Sequence, residues 1–141
     1  VVTHKNMPEK WGLGLPVHRL LMEDKVYFAG KQENIRRYLS AMDVFLFPSV
    51  FEGVPFALIE AQANGLACVM SEAVSEEAVV FPERVRRLSL DRDNIQWAAA
   101  VMAMSSMNSE AADLIKMRLS DAHFNIETEA KRLKDLYYHT R

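Results

Sequence analysis

Short apolar runs along the chain alternate with stretches in which apolar side chains recur at helical spacing. The runs are Val26-Tyr27-Phe28-Ala29, Val44-Phe45-Leu46-Phe47, Ala67-Cys68-Val69-Met70 and a weaker one from Val85 to Leu90. Uninterrupted apolar runs of this length suit strands covered on both faces, and strands separated by helices suit a parallel sheet. Between the first two runs, Ile35, Tyr38, Leu39 and Met42 fall at i, i+3, i+4 and i+7, which predicts an amphipathic helix with Arg36 and Arg37 on its other face. The unit from Val26 to Phe47 is therefore expected to be strand, helix, strand, with a right-handed crossover. A second helix is expected from about Pro55 to Asn64, stopped by Gly65 as a C-terminal cap. Its small residues Ala57, Ala61 and Ala63 would let it pack closely on the sheet.

Beyond Leu90 the pattern turns helical. Asp93 is placed to cap a helix with Ile95, Ala98, Ala99 and Met102 on one side, and Trp97, Val101 and Met104 widening that apolar face. Ser109 and Glu110 can start another, through Leu114, Ile115 and Leu119. A third runs from about Ile126 through Ala130, Leu133 and Tyr137. Met102, Met104, Met107 and Met117 are expected to fill gaps between these helices. Residues 1–141 thus read as one α/β domain or part of one, mainly helical over 91–141.

Composition narrows the function classes. A chain of 141 residues, 50% of them apolar, can bury one core. Its 17 basic and 19 acidic side chains give a net charge of -2, which offers no general attraction to nucleic acid or to an anionic membrane. The longest apolar stretch, Trp97 to Met104, is well short of the roughly 20 residues of a membrane helix. No signal peptide opens the chain: Val1-Val2-Thr3-His4-Lys5 begins as though inside a domain. The lone Cys68 cannot form an internal disulfide and reads as a small buried apolar side chain.

Candidate chemistry concentrates in Pro48-Ser49-Val50-Phe51-Glu52-Gly53-Val54-Pro55-Phe56-Ala57-Leu58-Ile59-Glu60-Ala61, where two glutamates eight positions apart flank a glycine, a proline and a helix start. Proline suits a first helical position, so the amides just after Pro55 are expected to be free to hold an anion such as a diphosphate. Glu60 would follow about one and a half turns into the helix, among Ala57, Leu58, Ile59 and Ala61. An ionised carboxylate in such surroundings calls for a partner, and the hydroxyls of a ribose are good candidates.

Gly30 after an apolar run, a helix ending Ala41-Met42-Asp43, then Val44-Phe45-Leu46-Phe47-Pro48-Ser49, Phe51-Glu52-Gly53-Val54-Pro55 and Leu58-Ile59-Glu60-Ala61-Gln62-Ala63-Asn64-Gly65 together resemble the C-terminal domain of family 4 glycosyltransferases. The resemblance covers Val26 to Ser71, about a third of the chain, and within the family it is closest to polysaccharide-biosynthesis enzymes. It implies a Rossmann-like parallel sheet with flanking helices, part of a two-domain GT-B enzyme. Such an enzyme moves a sugar from a nucleotide donor, UDP by default, to a glycan or lipid-linked acceptor, with retention and with neither metal nor cofactor.

Carried over residue by residue, the resemblance makes Glu60 the second glutamate of the E-x7-E motif, on the donor ribose. It makes Glu52 the first, the catalytic carboxylate beside the transferred sugar, where it orients hydroxyls and steadies positive charge at the anomeric carbon. Phe56 and Ala57 would offer their amides to the diphosphate, Gly30 and Lys31 would border the base, and Ser49, Gly53 and Val54 would line the donor from the neighbouring loop. The resemblance also implies a missing part, made up of the N-terminal domain that brings the acceptor and the first strands of the donor domain, in which the basic clamp on the diphosphate would lie. The family's glycine-rich loop is replaced here by Thr3-His4-Lys5-Asn6-Met7-Pro8. The fragment alone is expected to be inactive, and the whole enzyme cytoplasmic, with peripheral membrane association through the missing part.

Each assignment has a plainer rival. Glu60 could pair with Arg36 or Arg37, and Glu52 could be a solvated carboxylate ahead of a helix N-terminus. Asp91-Arg92-Asp93 matches a D-x-D metal pattern but serves more simply as a helix cap. His4, His18, His123 and His139 show no ligand spacing. A non-catalytic α/β domain that binds nucleotide or protein is the alternative function, and a glycosidase with Glu52 and Glu60 as its carboxylate pair is the weakest of the three.

Overall fold

A computed structural model describes residues 24–108 and 110–139. They divide into two units between Ile35 and Arg36. Thr3 to Pro8, His4, His18 and Ser109 lie outside the described residues.

In the first unit, residues 26–29 form no strand. This corrects the expected strand at Val26 to Ala29: a run of apolar residues becomes a strand only when a neighbouring strand pairs with it, and no strand among the described residues does so. Gly30 follows with φ 64°, a left-handed conformation suited to glycine, and the Gln32 carboxamide donates to the Ala29 carbonyl.

The helix expected next is one short turn and a half, α1 (Ile35–Leu39). Turn bonds continue it, from Ser40 N to Arg36 O at 2.9 Å and from Met42 N to Leu39 O at 3.2 Å. Leu39 is buried, Met42 packs against the core, and Arg36 and Arg37 face outward as expected.

In the second unit, β1 (Val44–Phe47), β2 (Ala67–Ser71) and β3 (Val85–Leu88) form a sheet in that order, with both pairs parallel. Val44 lies opposite Ala67, and Cys68 opposite Val85. All five residues of β2 are buried, so both its faces are covered. The expected parallel α/β arrangement is present. From β1 the chain reaches β2 through α2 (Phe56–Ala63), whereas β2 reaches β3 through two 3-10 turns, Glu76–Ala78 and Pro82–Arg84. Leu58, Met70, Val74 and Phe81 are among the core residues that α2, the sheet and this second connection bury together.

Pro55 is the N-cap of α2, with φ -73° and ψ 118°, one position before the first helical place expected for it. At the other end, Gly65 N donates to Gln62 O at 2.9 Å and Leu66 N to Ala61 O at 3.1 Å. This paired pattern needs a left-handed residue between them, which Gly65 supplies with φ 80°.

Asp93 caps α3 (Asn94–Ser105) as expected, accepting from Gln96 N at 2.7 Å. The inner face of this helix differs from the expected one. Trp97, Ala100, Val101 and Met104 are half-buried, while Ile95, Ala98, Ala99 and Met102 are exposed. Periodicity could not choose between faces because the helix is apolar nearly all round. Helix α4 (Ala112–Asp121) begins with Ala111 as its N-cap, later than Ser109 or Glu110, and buries Ile115. Helix α5 (Ile126–His139) has the expected extent, but Ile126, Leu133 and Tyr137 are exposed. Met102 and Met117 are also exposed, so of the four methionines only Met104 and Met107 are part-buried. Among the described residues no helix is long and apolar enough to cross a membrane.

Candidate functional site

The loops leaving β1 and β2 lie at the carboxyl ends of parallel strands, where open α/β sheets tend to place ligands. They are tied together at two points. The Ser71 hydroxyl, fully buried at the end of β2, donates to the Ser49 carbonyl. Further on, Glu52 and Val74 form an isolated parallel bridge, and Ser75 N donates to Glu52 O at 3.4 Å. Val74 is only 1% exposed, so the backbone of Glu52 is held against a core residue while its side chain stays in solvent.

Four residues after Glu52 the helix begins, with Pro55 as its N-cap. Pro55 is buried, and its carbonyl accepts from Leu58 N at 3.1 Å and Ile59 N at 3.4 Å. The Phe56 and Ala57 amides precede these first helical bonds, and both residues are exposed. The positive end of the α2 dipole thus opens beside the Glu52 loop. A Cβ added to Gly53 would meet nothing within 4 Å, and its φ is not among the positive ones. Neither packing nor backbone geometry of the described protein requires glycine there, which leaves open surface on the loop between Glu52 and the helix. Val54 is 37% exposed beside it.

Glu60 departs from the expectation of apolar surroundings. Helix α2 turns Leu58, Ile59, Ala61 and Gln62 inward and leaves Glu60 exposed. Its carboxylate needs no partner to offset burial, and the ion pairs among the described residues do not join it to Arg36 or Arg37. Gly30 and Lys31 belong to the first unit, Gly30 half-buried and Lys31 exposed. Ser49, Glu52, Gly53, Val54, Phe56, Ala57 and Glu60 all belong to the second.

Two polar residues that sequence reasoning missed hold this arrangement. Gln62 is buried in α2 and bonds to three residues of the second connection. Its signal was present: it follows Leu58 and Ile59 at i+4 and i+3, on the face the helix buries. Arg87 of β3 donates from Nη2 to Glu72 O and Val74 O, both at 3.1 Å, and pairs with Glu76. In the sequence it stood only as one residue of the weak run from Val85 to Leu90, with no sign of this role.

Elsewhere the chemistry is structural. Burial pushes the Cys68 thiol up to about 12, partly opposed by the nearby Arg84 charge, so it stays protonated and unreactive at neutral pH. His123 takes the left-handed place after α4 with φ 63° and bonds from Nδ1 to Glu129 at 2.8 Å. Among the described residues no group of three or more His, Cys, Asp or Glu side chains is arranged to hold a metal. A cavity of about 560 Å³ lies between β3 and α3, lined by Arg86, Leu88, Arg92, Gln96 and apolar residues of α3, and it contains neither glutamate.

Comparison with known proteins gives a consistent picture. The family model described as Glycosyl transferases group 1 matches residues 11–107. EpsF of Bacillus subtilis (strain 168), which carries a glycosyltransferase name, is 31% identical over 112 residues, covering 79% of this chain and 29% of its own length. The UDP-Gal:alpha-D-GlcNAc-diphosphoundecaprenol alpha-1,3-galactosyltransferase of Escherichia coli is 36% identical over 119 residues, covering 82% of this chain and 30% of its own. The amylovoran biosynthesis glycosyltransferase AmsK of Erwinia amylovora is 34% identical over 116 residues, covering 77% and 28%. The chain therefore spans less than a third of the length of these relatives.

Proposed function

Because this chain belongs to the Glycosyl transferases group 1 family, we propose that it is the donor-binding part of a retaining glycosyltransferase of polysaccharide biosynthesis. The observation that carries the reading is the Glu52 loop, locked to Val74 beside the open N-terminus of α2. That juxtaposition offers an anion site and a carboxylate a few residues apart.

The chemistry asked of this site is electrostatic. As the glycosidic bond of a nucleotide-sugar breaks, negative charge grows on the diphosphate and positive charge on the anomeric carbon. The Phe56 and Ala57 amides stabilise the first, and the Glu52 carboxylate orients the sugar and steadies the second. Glu60, exposed on the same helix, accepts from the ribose hydroxyls. Gly53 lets the sugar approach the backbone, and Ser49 and Val54 border it. No metal enters the scheme.

The relatives' names support the substrate class. A UDP-Gal donor and a diphosphoundecaprenol-linked acceptor are named for the Escherichia coli protein, and amylovoran biosynthesis for the Erwinia amylovora one. We take UDP-sugars as donors and a glycan or lipid-linked molecule as acceptor, bound by a preceding domain of a longer enzyme that works in the cytoplasm, peripheral to the membrane.

Calorimetric titration of UDP, GDP and ADP tests the reading, with Glu60→Ala as the control for the ribose contact. Binding of one nucleotide that weakens at least tenfold in the variant, about 1.4 kcal/mol, is the expected result. Failure of all three to bind, in the chain and in the full protein its gene encodes, sinks the donor-site assignment.

A further inference from the structure

We propose that Arg87 is a positioning residue for Glu52, acting across the top of the sheet through the loop that follows β2. The proposal rests on the donor-site reading and concerns a residue that reading does not use. The path is continuous in hydrogen bonds. Glu72 N extends the β2–β3 ladder to Leu88 O at 2.9 Å, and the chain then rises over the neighbouring Arg87. Arg87 Nη2 donates to both Glu72 O and Val74 O at 3.1 Å, and Nη1 pairs with Glu76. Val74, whose side chain is locked in the core, forms the bridge to Glu52, and Ser75 N donates to the Glu52 carbonyl. A charge on the third strand therefore sets the height of a loop on the second, and that loop sets the backbone of a carboxylate following the first.

The chemistry of the side chain suits this task. A planar guanidinium holds two carbonyls from one nitrogen in fixed directions, which a lysine ammonium on a flexible stem does less well. The Arg87 side chain is 27% exposed and that of Glu76 80%, so the ion pair is screened and weak. The two carbonyl bonds are the part that constrains the loop. Arg87 keeps them although its Nε is buried without a hydrogen-bond partner among the described residues.

Because Glu52 is assigned to the sugar and the α2 amides to the diphosphate, losing Arg87 should affect the two parts of a donor differently. The probes are UDP and whichever of UDP-glucose, UDP-galactose and UDP-N-acetylglucosamine the unaltered full protein binds tightest. Arg87→Ala should cut the extra affinity conferred by the sugar at least fivefold while leaving UDP affinity within twofold. Arg87→Lys should give an intermediate loss. Glu76→Gln, which removes the ion pair but leaves both carbonyl bonds, should stay within twofold on both probes. In a Glu52→Gln background, Arg87→Ala should cost less than a further twofold, since a positioning effect vanishes with the group positioned.

Equal weakening of UDP and UDP-sugar by Arg87→Ala, a full additional loss in the Glu52→Gln background, or no loss at all overturns the proposal. So does failure of both Arg87 variants to fold, which would make the residue structural. If Glu52→Gln itself leaves sugar-dependent affinity intact, the donor-site reading fails. If only the Arg87 variants leave it intact, the positioning role alone fails.

Discussion

Gln62 spans from α2 to Ala78, donating from Nε2 to its carbonyl at 2.7 Å. The second Nε2 hydrogen goes to Leu58 O at 3.1 Å, and Oε1 accepts from Val80 N at 2.8 Å and Phe81 N at 3.1 Å. Every donor and acceptor position of this buried carboxamide is filled, and the segment it holds is the one that bridges to Glu52. Gln62→Leu keeps much of the shape and strands the Ala78 carbonyl and two amides. Unfolding in urea should show a loss of about 3 kcal/mol, and a loss under about 1 kcal/mol would mean that the connection reorganises.

Gly53→Ala separates folding from binding. With nothing within 4 Å of the new methyl and no positive φ to strain, the melting temperature should stay within about 1 °C, corresponding to a few tenths of a kcal/mol. Affinity for a UDP-sugar should nevertheless fall severalfold if the donor lies against this loop. Unchanged affinity in a stable variant would place the sugar elsewhere.

Glu52→Gln should lower transfer by the full enzyme about a hundredfold, roughly 3 kcal/mol of transition-state stabilisation, without loss of stability, because the side chain is exposed. Chelation of divalent ions should leave the rate of the unaltered enzyme unchanged. Turnover that survives the substitution, or that stops on chelation, would contradict the electrostatic scheme.

Burial sets the Cys68 thiol at about 12 against an ordinary value of 9.0. The folded state favours the neutral thiol, so its contribution is complete below about pH 9 and is lost as pH rises toward 12. Stability should fall more steeply over that interval in the unaltered protein than in Cys68→Ala. A thiol reagent should leave Cys68 unmodified at neutral pH until the chain unfolds. Rapid labelling of the native protein would show that the strand opens locally.

The features legible in the sequence were those fixed by local chemistry. Val44 to Phe47 and Ala67 to Met70 are strands because apolar β-formers run without interruption, and Asp93 and Gly65 end their helices where a short acceptor side chain and a left-handed residue are needed. The motif from Glu52 to Glu60 was visible because its glycine, proline and carboxylates stand close along the chain.

Facing and partnership were decided only by the tertiary structure. Ile95 and Met102 point outward because α3 offers apolar residues on every side and the sheet selects Trp97 and Val101. Glu60 is exposed because α2 buries the Leu58, Ile59 and Gln62 face instead. Val26 to Ala29 has the composition of a strand but lacks a pairing strand among the described residues. Arg87 is distant in sequence from Glu52, and the bonds that link them exist only once three strands stand side by side. Sequence fixes what each backbone segment prefers over a few residues, whereas burial and hydrogen bonding between distant segments depend on which surfaces the folded chain brings together.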